Sequence, residues 1–465
     1  LESRPTSLRR SLGALEYFTF GFGSMVGAGW LVIMDDWLGR GGPGGAMLGF
    51  LIGALLLLPI ALTYGRMVRM IPDAGAEVAY TERVFPPAVS FAAGWMMVLA
   101  YAIVCPWEAV AIGNLLARLF PGMNAVVLYT VAGKAIALPR LVAGLGLTAA
   151  IGVVNYRGIR LSARFQNVTT IGLLACFALF VALGIGRGAP ANAAPLFGPA
   201  GTFVSILLVL QIVPYFLTGF ESIPKASEEA LPDLRPGTLS RVITVSLLSG
   251  GLFYVVIVGV VAWVYPWTDL VRNHLGTDAA FARAFGTPWI ARLVLVAAVL
   301  SLFKVFNGNF VAATRLLYAL GRRGLVPSAV GAVNATFGTP AMAIALVAIP
   351  TGAAAFLGDA VLVPISEVGA AVGAMGWCAT CLAFIALARR SRQNGGMVTA
   401  AIGVFVSVAI ISIKVIPSVP GSFSGVEWIA LLGWCALGGG VLLWRFLLRT
   451  ARPGPAPTFP SDRDR

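Results

Sequence analysis

Twelve apolar runs, each close to twenty residues or longer, follow one another along this chain. A helix needs about 20 apolar residues to cross the hydrocarbon core of a bilayer. In that solvent every backbone N–H and C=O must be satisfied inside the protein. The runs fall at 14–38, 45–68, 88–119, 138–156, 163–186, 201–223, 241–264, 290–319, 340–357, 361–388, 398–416 and 426–448. Twelve spans use roughly 250 residues and leave about 18 per connection, so no large soluble domain fits between them. Composition agrees. The 465 residues are 58% hydrophobic and 11% charged, against about 25% charged in soluble domains. Mean hydropathy is +0.88. The 55 glycines sit in apolar runs and not in polar tracts, which argues against disorder. The expected fold is an all-α polytopic membrane protein of about 12 transmembrane helices.

A net charge of +14 does not indicate a nucleic-acid partner, because the basic residues fall between apolar runs and form no single patch. Their distribution carries topology instead. With the N-terminus placed in the cytoplasm, 23 basic residues fall on the inner side, nine on the outer side, and Lys304 inside a span. Both termini are therefore expected in the cytoplasm. No cleavable signal is expected at the polar, basic start Leu1–Arg10. The tail Pro453–Arg465 reads as a disordered end. Arg outnumbers Lys 29 to 4, a hint of a GC-rich genome and so of a bacterial inner membrane.

The chemistry of enzymes is missing from the sequence. It contains no HExxH, no Ser/His/Asp set and no phosphate-cradling glycine loop. The one histidine, His274, sits in a polar loop. Cys105, Cys176, Cys378, Cys381 and Cys435 all lie in apolar segments and read as buried thiols. The Cys378-x-x-Cys381 pair has no second ligand pair to make a metal or redox site. No cofactor and no metal are expected.

Two spans do not read as plain helices. The first contains Gly23-Ser24-Met25-Val26-Gly27-Ala28-Gly29, where each glycine weakens a helix by roughly 1 kcal/mol relative to Ala. The sixth contains Pro214-Tyr215-Phe216-Leu217-Thr218-Gly219-Phe220-Glu221, with a proline, a glycine and an acid in the middle of an apolar run. They lie five spans apart, at the start of two halves of a ten-helix unit. Paired interrupted segments of this kind mark transporter binding sites. Half-helix N-termini can hold a carboxylate, and loose carbonyls a cation or ammonium. Gly23/Gly27 and Gly49/Gly53 also form GxxxG spacings. For Gly49/Gly53 helix packing is the expected use; for Gly23–Gly29 it is a broken helix.

The run Gly23–Trp30 resembles the first-span motif of the amino acid–polyamine–organocation superfamily of permeases. Thr218–Pro232 resembles its sixth-span motif and the following loop. Pro72–Tyr80, Asn155-Tyr156-Arg157-Gly158 and Arg315–Pro327 add to the similarity, which covers about residues 10–450. The resemblance implies a LeuT-like five-plus-five inverted repeat: a cytoplasmic N-terminus at 1–13, a first repeat at 14–186, a second at 201–388, two extra helices at 398–448 and a cytoplasmic tail at 449–465. It also implies alternating access and secondary active transport. It places a substrate carboxylate on the N–H groups around Gly27, Ala28 and Gly29. The substrate amine falls to carbonyls near Gly23, Ser24, Phe216 and Leu217. Met25, Val26, Thr218 and Asn307 join the substrate-binding set, and Tyr215, Phe220 and Trp30 are the gate candidates. One departure stands out. Several proton-coupled members carry a fifth-helix lysine, which would fall at about Leu173 here.

Ionisable groups inside a membrane are costly and default to a functional reading with a named partner. Glu108 in span 3 and Lys304 in span 8 occupy equivalent helices of the implied repeat. Lys304 is expected to supply the charge the fifth helix lacks, near the carbonyls that end the inner half of span 1. Protonation of Lys304 or Glu108 would then bias the transport equilibrium; a static strut is the alternative. Glu221 contacts substrate amine or a proton path, or else caps freed N–H groups. Glu367 reads as reaching the outer interface, Asp35 and Asp36 as solvated acids at an outer helix end, and Glu228 and Glu229 as partners of inner arginines. The expected function is secondary active transport of an amino acid or related small amine, coupled to H+, across a lipid bilayer. An amino acid or amine exchanger, a polyamine or ethanolamine permease and, remotely, a channel or signalling membrane protein are the alternatives.

Overall fold

The computed structural model describes residues 8, 10–235, 237–392, 395–419 and 422–451. The tail expected at Pro453–Arg465, and Arg4 and Arg9 of the start, lie outside the described residues. Nine helices among the described residues are long and apolar enough to cross a membrane, or ten if a bent pair counts as one. The chain is thus a multi-pass helical protein by length and composition. The two expected spans that miss this length are the first, which is broken, and Ala341–Ala355.

Most expected bounds fall within a few residues of a helix: Leu138–Tyr156, Ile159–Ile185, Thr238–Val264, Pro288–Arg322, Leu362–Arg390, Met397–Val415 and Gly425–Ala451. Three departures have local causes. The first two expected spans are joined without a loop, because helix Met34–Met70 continues across a kink at Gly42, whose φ is 66°, with Pro43 next to it. The third is two helices, Pro87–Ala102 and Val104–Leu119. Pro106 has no N–H for the Ala102 carbonyl and its ring crowds that oxygen. The sixth is Thr202–Leu210 followed by Val213–Glu229, bent by 49°.

The connections hold structure that helical periodicity does not reveal. Val127–Val131 pairs antiparallel with Lys134–Ala137, closed by Ala132 and Gly133, both at positive φ, as a two-residue hairpin turn requires. Two short helices, Trp267–Arg272 and Thr277–Phe285, follow span 7.

Span 8 is the buried axis of the fold. From Lys304 to Gly321 every side chain on it is buried, so it packs against neighbours around its whole circumference. Gly49 and Gly53 pack as expected for a small-residue face. A Cβ on either would lie 2.9 Å from Val209 or 2.4 Å from Val213, so spans 2 and 6 touch backbone to side chain there. Span 12 is the opposite case. Ile429, Leu432 and Leu443 are exposed as a lipid face. It is fastened by a reciprocal clasp, in which Trp95 Nε1 donates to the Trp434 carbonyl and Trp434 Nε1 to the Trp95 carbonyl, each at 3.0 Å. The rings stack at 4.4 Å. Stacked aromatic pairs contribute about 0.5–1.5 kcal/mol beyond burial, and each hydrogen bond adds roughly 1 kcal/mol. Trp434→Ala removes the stacking and one of the two bonds, since the residue 434 carbonyl stays, and is expected to destabilise the protein by about 1.5–2.5 kcal/mol. A thermal melt in detergent would show it as a clear fall in Tm, whereas Trp444→Ala on the same helix would leave the Tm nearly unchanged.

Candidate functional site

The first span breaks where the glycines stand. A helix runs Ala14–Met25, Val26 is extended at φ −85° and ψ 93°, and a short helix restarts at Gly29. The break frees carbonyls, and side chains from spans 7 and 8 take them. Asn309 Nδ2 donates to the Ser24 carbonyl at 3.2 Å and Tyr254 Oη to that of Met25 at 3.0 Å. Ser301 Oγ lies 2.8 Å from the carbonyls of Val26 and Gly27. Lys304 Nζ donates to Val26 and, at 3.3 Å, to Gly23, with the Phe22 ring 5.5 Å away. The ammonium thus sits at the negative pole of the helix Ala14–Met25, where a cation is favoured. The amide side of the break is open by contrast. Gly27 N–H reaches only Tyr254 Oη at 3.4 Å. Among the described residues no hydrogen bond is formed by the amides of Ala28 and Gly29.

The sixth span breaks at Thr218, which is extended, and Gly219, at φ 138°. That φ is strained for any residue with a Cβ, and a Cβ there would also lie 2.9 Å from Met25 N and from Ser24 C. The two breaks therefore touch main chain to main chain. The carbonyls of Phe216 and Leu217, at the end of the first half of this span, accept no hydrogen bond among the described residues. Glu221 Oε2 accepts the Gly219 N–H at 3.0 Å, the capping use of that carboxylate. Its Oε1 is buried without a partner.

Between the breaks lies a cavity of about 30 Å³ lined by Ser24, Gly27, Gly29, Glu108, Phe216 and Thr218 among others. It holds about one or two waters, and the Phe216 ring lies against Gly29. In this conformation the site is contracted. Ser24, Met25, Gly27, Ala28, Gly29, Tyr215, Phe216, Thr218 and Glu108 all line it. Glu108 Oε2 is buried and unpartnered, while Oε1 lies 3.5 Å from where a Cβ on Gly27 would be. No ion pair joins Glu108 to Lys304 among the described residues; Lys304 is spent on carbonyls.

Other expected site residues lie away from the lining. Gly23 packs against Gln166, and Val26 contributes its carbonyl to Ser301 and Lys304. Leu217 is buried toward Gly250. Phe220 is buried between Tyr64 and Trp377. Trp30 packs on Phe180 and Phe253, and its carbonyl accepts from Thr277. Asn307 ties spans 4, 5 and 8 through Asn155, Ser162 and Gln166. Leu173 is fully buried. Asp36 pairs with Arg40 at 2.7 Å, Asp35 lies 3.4 Å from His274, and Glu367 pairs with Lys414. All five cysteines are free, and Cys435 is exposed where a buried thiol was expected.

Four groups escaped the sequence reading: Ser301, Asn309, Tyr254 and the pair Glu77–Lys225. Ser301 stands three before Lys304, on the same helix face, a spacing that was readable; Asn309 and Tyr254 carry no such signal. Lys225 Nζ lies 2.5 Å from Glu77 Oε1, both fully buried, and donates to the Glu221 carbonyl at 2.7 Å. Tyr64 donates to the same Glu77 oxygen at 2.6 Å. Below this pair come Arg315 with Glu229 at 2.9 Å, Arg322 with Glu228 at 2.6 Å, and Arg323 with Asp73 and Glu82 at 2.7 and 2.8 Å. Ser11 and Leu12 bond to the Glu229 carbonyl, so this layer closes the face that carries the N-terminal residues.

A family model described as "Amino acid permease" matches residues 12–441. The chain is similar to the methylthioribose transporter of Bacillus subtilis (strain 168), at 26% identity over 94% of this chain and 93% of that protein. It is also similar to the branched-chain amino acid permease BcaP of the same organism, at 27% over 72% of each. The low-affinity putrescine importer PlaP of Escherichia coli (strain K12) is 24% identical over 63% of each.

Breaking a buried pair strands a charge at a cost of about 3–5 kcal/mol, whereas replacing both partners by apolar groups is often neutral. Lys225→Met is therefore expected to lose most of the Tm that Lys225→Met combined with Glu77→Leu regains. Equal losses in the single and double variants, read by thermal melts, would remove the pairing as the cause.

Proposed function

The chain belongs to the amino acid permease family, and on that footing we propose that it is a secondary active transporter of an amino acid or related small amine. It is a permease and not an enzyme. The observation that carries the reading is the contact of the two breaks at Gly219 and Ser24–Met25, with open amides on one side of the cavity and open carbonyls on the other. A zwitterion fits that polarity. Its carboxylate takes the amides of Gly27, Ala28 and Gly29, its ammonium the carbonyl of Phe216, while Leu217, first expected beside it, stays off the lining. Tyr215 and Phe216 line the way in.

The chain works by alternating access in a twelve-span, five-plus-five arrangement, with repeats at 14–186 and 201–388 and two added helices. Both termini face the cytoplasm of a bacterial inner membrane, as the loop arginines favour. The coupling ion is H+. Lys304 and Glu108 supply the coupling: the lysine holds the negative pole of the first half-helix, and the carboxylate stands free beside Gly27 to take a proton when the substrate carboxylate arrives.

One observation favours a second reading. Glu108 is an unpartnered carboxylate in the cavity wall. A cargo with an amine and no carboxylate would pair with it directly, and one relative is named as a putrescine importer.

Uptake into proteoliposomes of alanine, arginine, putrescine and ethanolamine, each with and without an imposed pH gradient, separates the readings. Accumulation of an amino acid against its gradient, driven by acid outside, is the expected result; gradient-independent equilibration of all four would exclude a coupled carrier. Lys304→Ala is expected to lower uptake at least tenfold and to flatten its pH profile. A variant with wild-type uptake and wild-type pH profile would remove Lys304 from the coupling. Glu108→Gln is expected to keep binding of the amino acid while abolishing its acceleration by a pH gradient. Should counterflow and pH-driven uptake both stay unchanged in that variant, Glu108 is only a wall.

A further inference from the structure

A second cavity lies on the face opposite the arginine layer. Its volume is about 520 Å³, enough for a free amino acid, where the cavity between the breaks holds about 30 Å³. Trp107 lines both. Trp107 is thus a wall common to the two cavities.

The walls of the outer cavity are charged in a set order. Arg140 Nη1 donates to Asn114 Oδ1 at 2.9 Å, and Asn114 Nδ2 donates to Asp359 Oδ1 at 2.7 Å. Asn114 thus holds a guanidinium at one end and a carboxylate at the other. Neither end is saturated. Arg140 Nε is buried with no hydrogen-bond partner, and a guanidinium offers five donors in all. An ionised carboxylate offers about four acceptor positions, of which Asp359 commits one to Asn114. Arg118 adds a second guanidinium, joined to Asp278 through Nη1 at 2.9 Å. Guanidinium groups take carboxylates in bidentate pairs, which are stronger than neutral hydrogen bonds. Leu115 and Trp107 supply apolar wall.

We propose that this outer cavity is a staging site for a zwitterionic amino acid, whose carboxylate sits on Arg140 and Arg118 and whose ammonium sits on Asp359. The site selects for the carboxylate before the central cavity is reached. An amine without one would meet two guanidinium groups whose remaining donors it could not use, a repulsive device against the wrong cargo. The proposal rests on the reading of the central cavity as the transport site, yet binding in the outer cavity can be measured without transport.

The test uses the full chain with exposed Cys435 replaced by serine and Ala117, in the cavity wall, replaced by cysteine. The rate of labelling of that cysteine by a hydrophilic methanethiosulfonate is followed in detergent. The probes are L-alanine, L-leucine and L-lysine, each beside its decarboxylated partner: ethylamine, isopentylamine and cadaverine. At least one amino acid is expected to slow labelling threefold or more, and its amine partner to have no effect. The protection should survive Val305→Phe, or Thr218→Met should the first fail to fold, since each narrows only the central cavity. It should vanish in Arg140→Gln combined with Arg118→Gln. Three results overturn the proposal: no protection by any of the three amino acids, equal protection by the amines, or protection that survives loss of both arginines. Protection that disappears in both central-cavity variants also overturns it, because it then reports closure from within and leaves the central site standing. Protection that persists in a protein with no uptake of any cargo has the reverse meaning: the outer site stands and the transport reading falls.

Discussion

Lipid offers no hydrogen bond to an unpaired peptide group, and the rest of the site follows from that. A helix broken in mid-membrane exposes carbonyls on one side of the break and amides on the other, each costing several kcal/mol if left to the hydrocarbon. Here the two sides are treated differently. Five carbonyls, from Gly23 to Gly27, are taken by Lys304, Asn309, Tyr254 and Ser301. The amides of Ala28 and Gly29 are left facing a small cavity. A fold that had only to survive its own break would satisfy both sides. Leaving the positive pole open while closing the negative one is what a site for an anionic group requires.

The same asymmetry sorts the candidate partners of a substrate amine. The carbonyls of Gly23 and Ser24 already accept from Lys304 and Asn309. The carbonyls of Phe216 and Leu217 do not, and Glu108 stands free at the wall. On the proposed reading a substrate ammonium goes to the sixth-span side of the cavity and to Glu108, away from the first half-helix whose carbonyl end Lys304 occupies. The Lys304 amine and the Glu108 carboxylate are thereby held apart, the first on the carbonyls of Gly23 and Val26 and the second at the cavity wall. Burial disfavours an ammonium, and those main-chain oxygens, which span 8 brings within reach, are what oppose that cost.

Much of this was legible in the residues, for a physical reason. Membrane spans are long apolar runs, so helix bounds such as 138–156 and 241–264 could be placed within a few residues. The breaks were legible because glycine and proline are the residues that end helices, and both breaks occur at the glycine and proline clusters. The closing partners were not. Tyr254 and Ser301 act through distances across the bundle, and a tyrosine in an apolar run has many uses. Asn307 stood in the expected substrate-binding set; its partners are Asn155, Ser162 and Gln166. Phe220 was a gate candidate through the family resemblance, and a 3-10 turn from Phe220 to Glu229 carries its ring to Tyr64 and Trp377. The hairpin at 127–137 left no helical trace, since nine residues at strand period are too few to stand out among longer runs.

The departure at span 5 then has a direct reading. The requirement is a positive group at the carbonyl end of the first half-helix, and electrostatics does not specify which neighbouring helix provides it. Spans 5 and 8 both pack on that half-helix. Span 5 contributes Gln166 and Thr170, which donate to the Thr19 carbonyl one turn earlier, and span 8 contributes Lys304. With Leu173 fully buried in an apolar setting, a second cation on span 5 would add a like charge to the same pole. The neutral fifth span and the charged eighth are thus one arrangement, in which polar neutral groups hold the middle of the half-helix and a single ammonium holds its end.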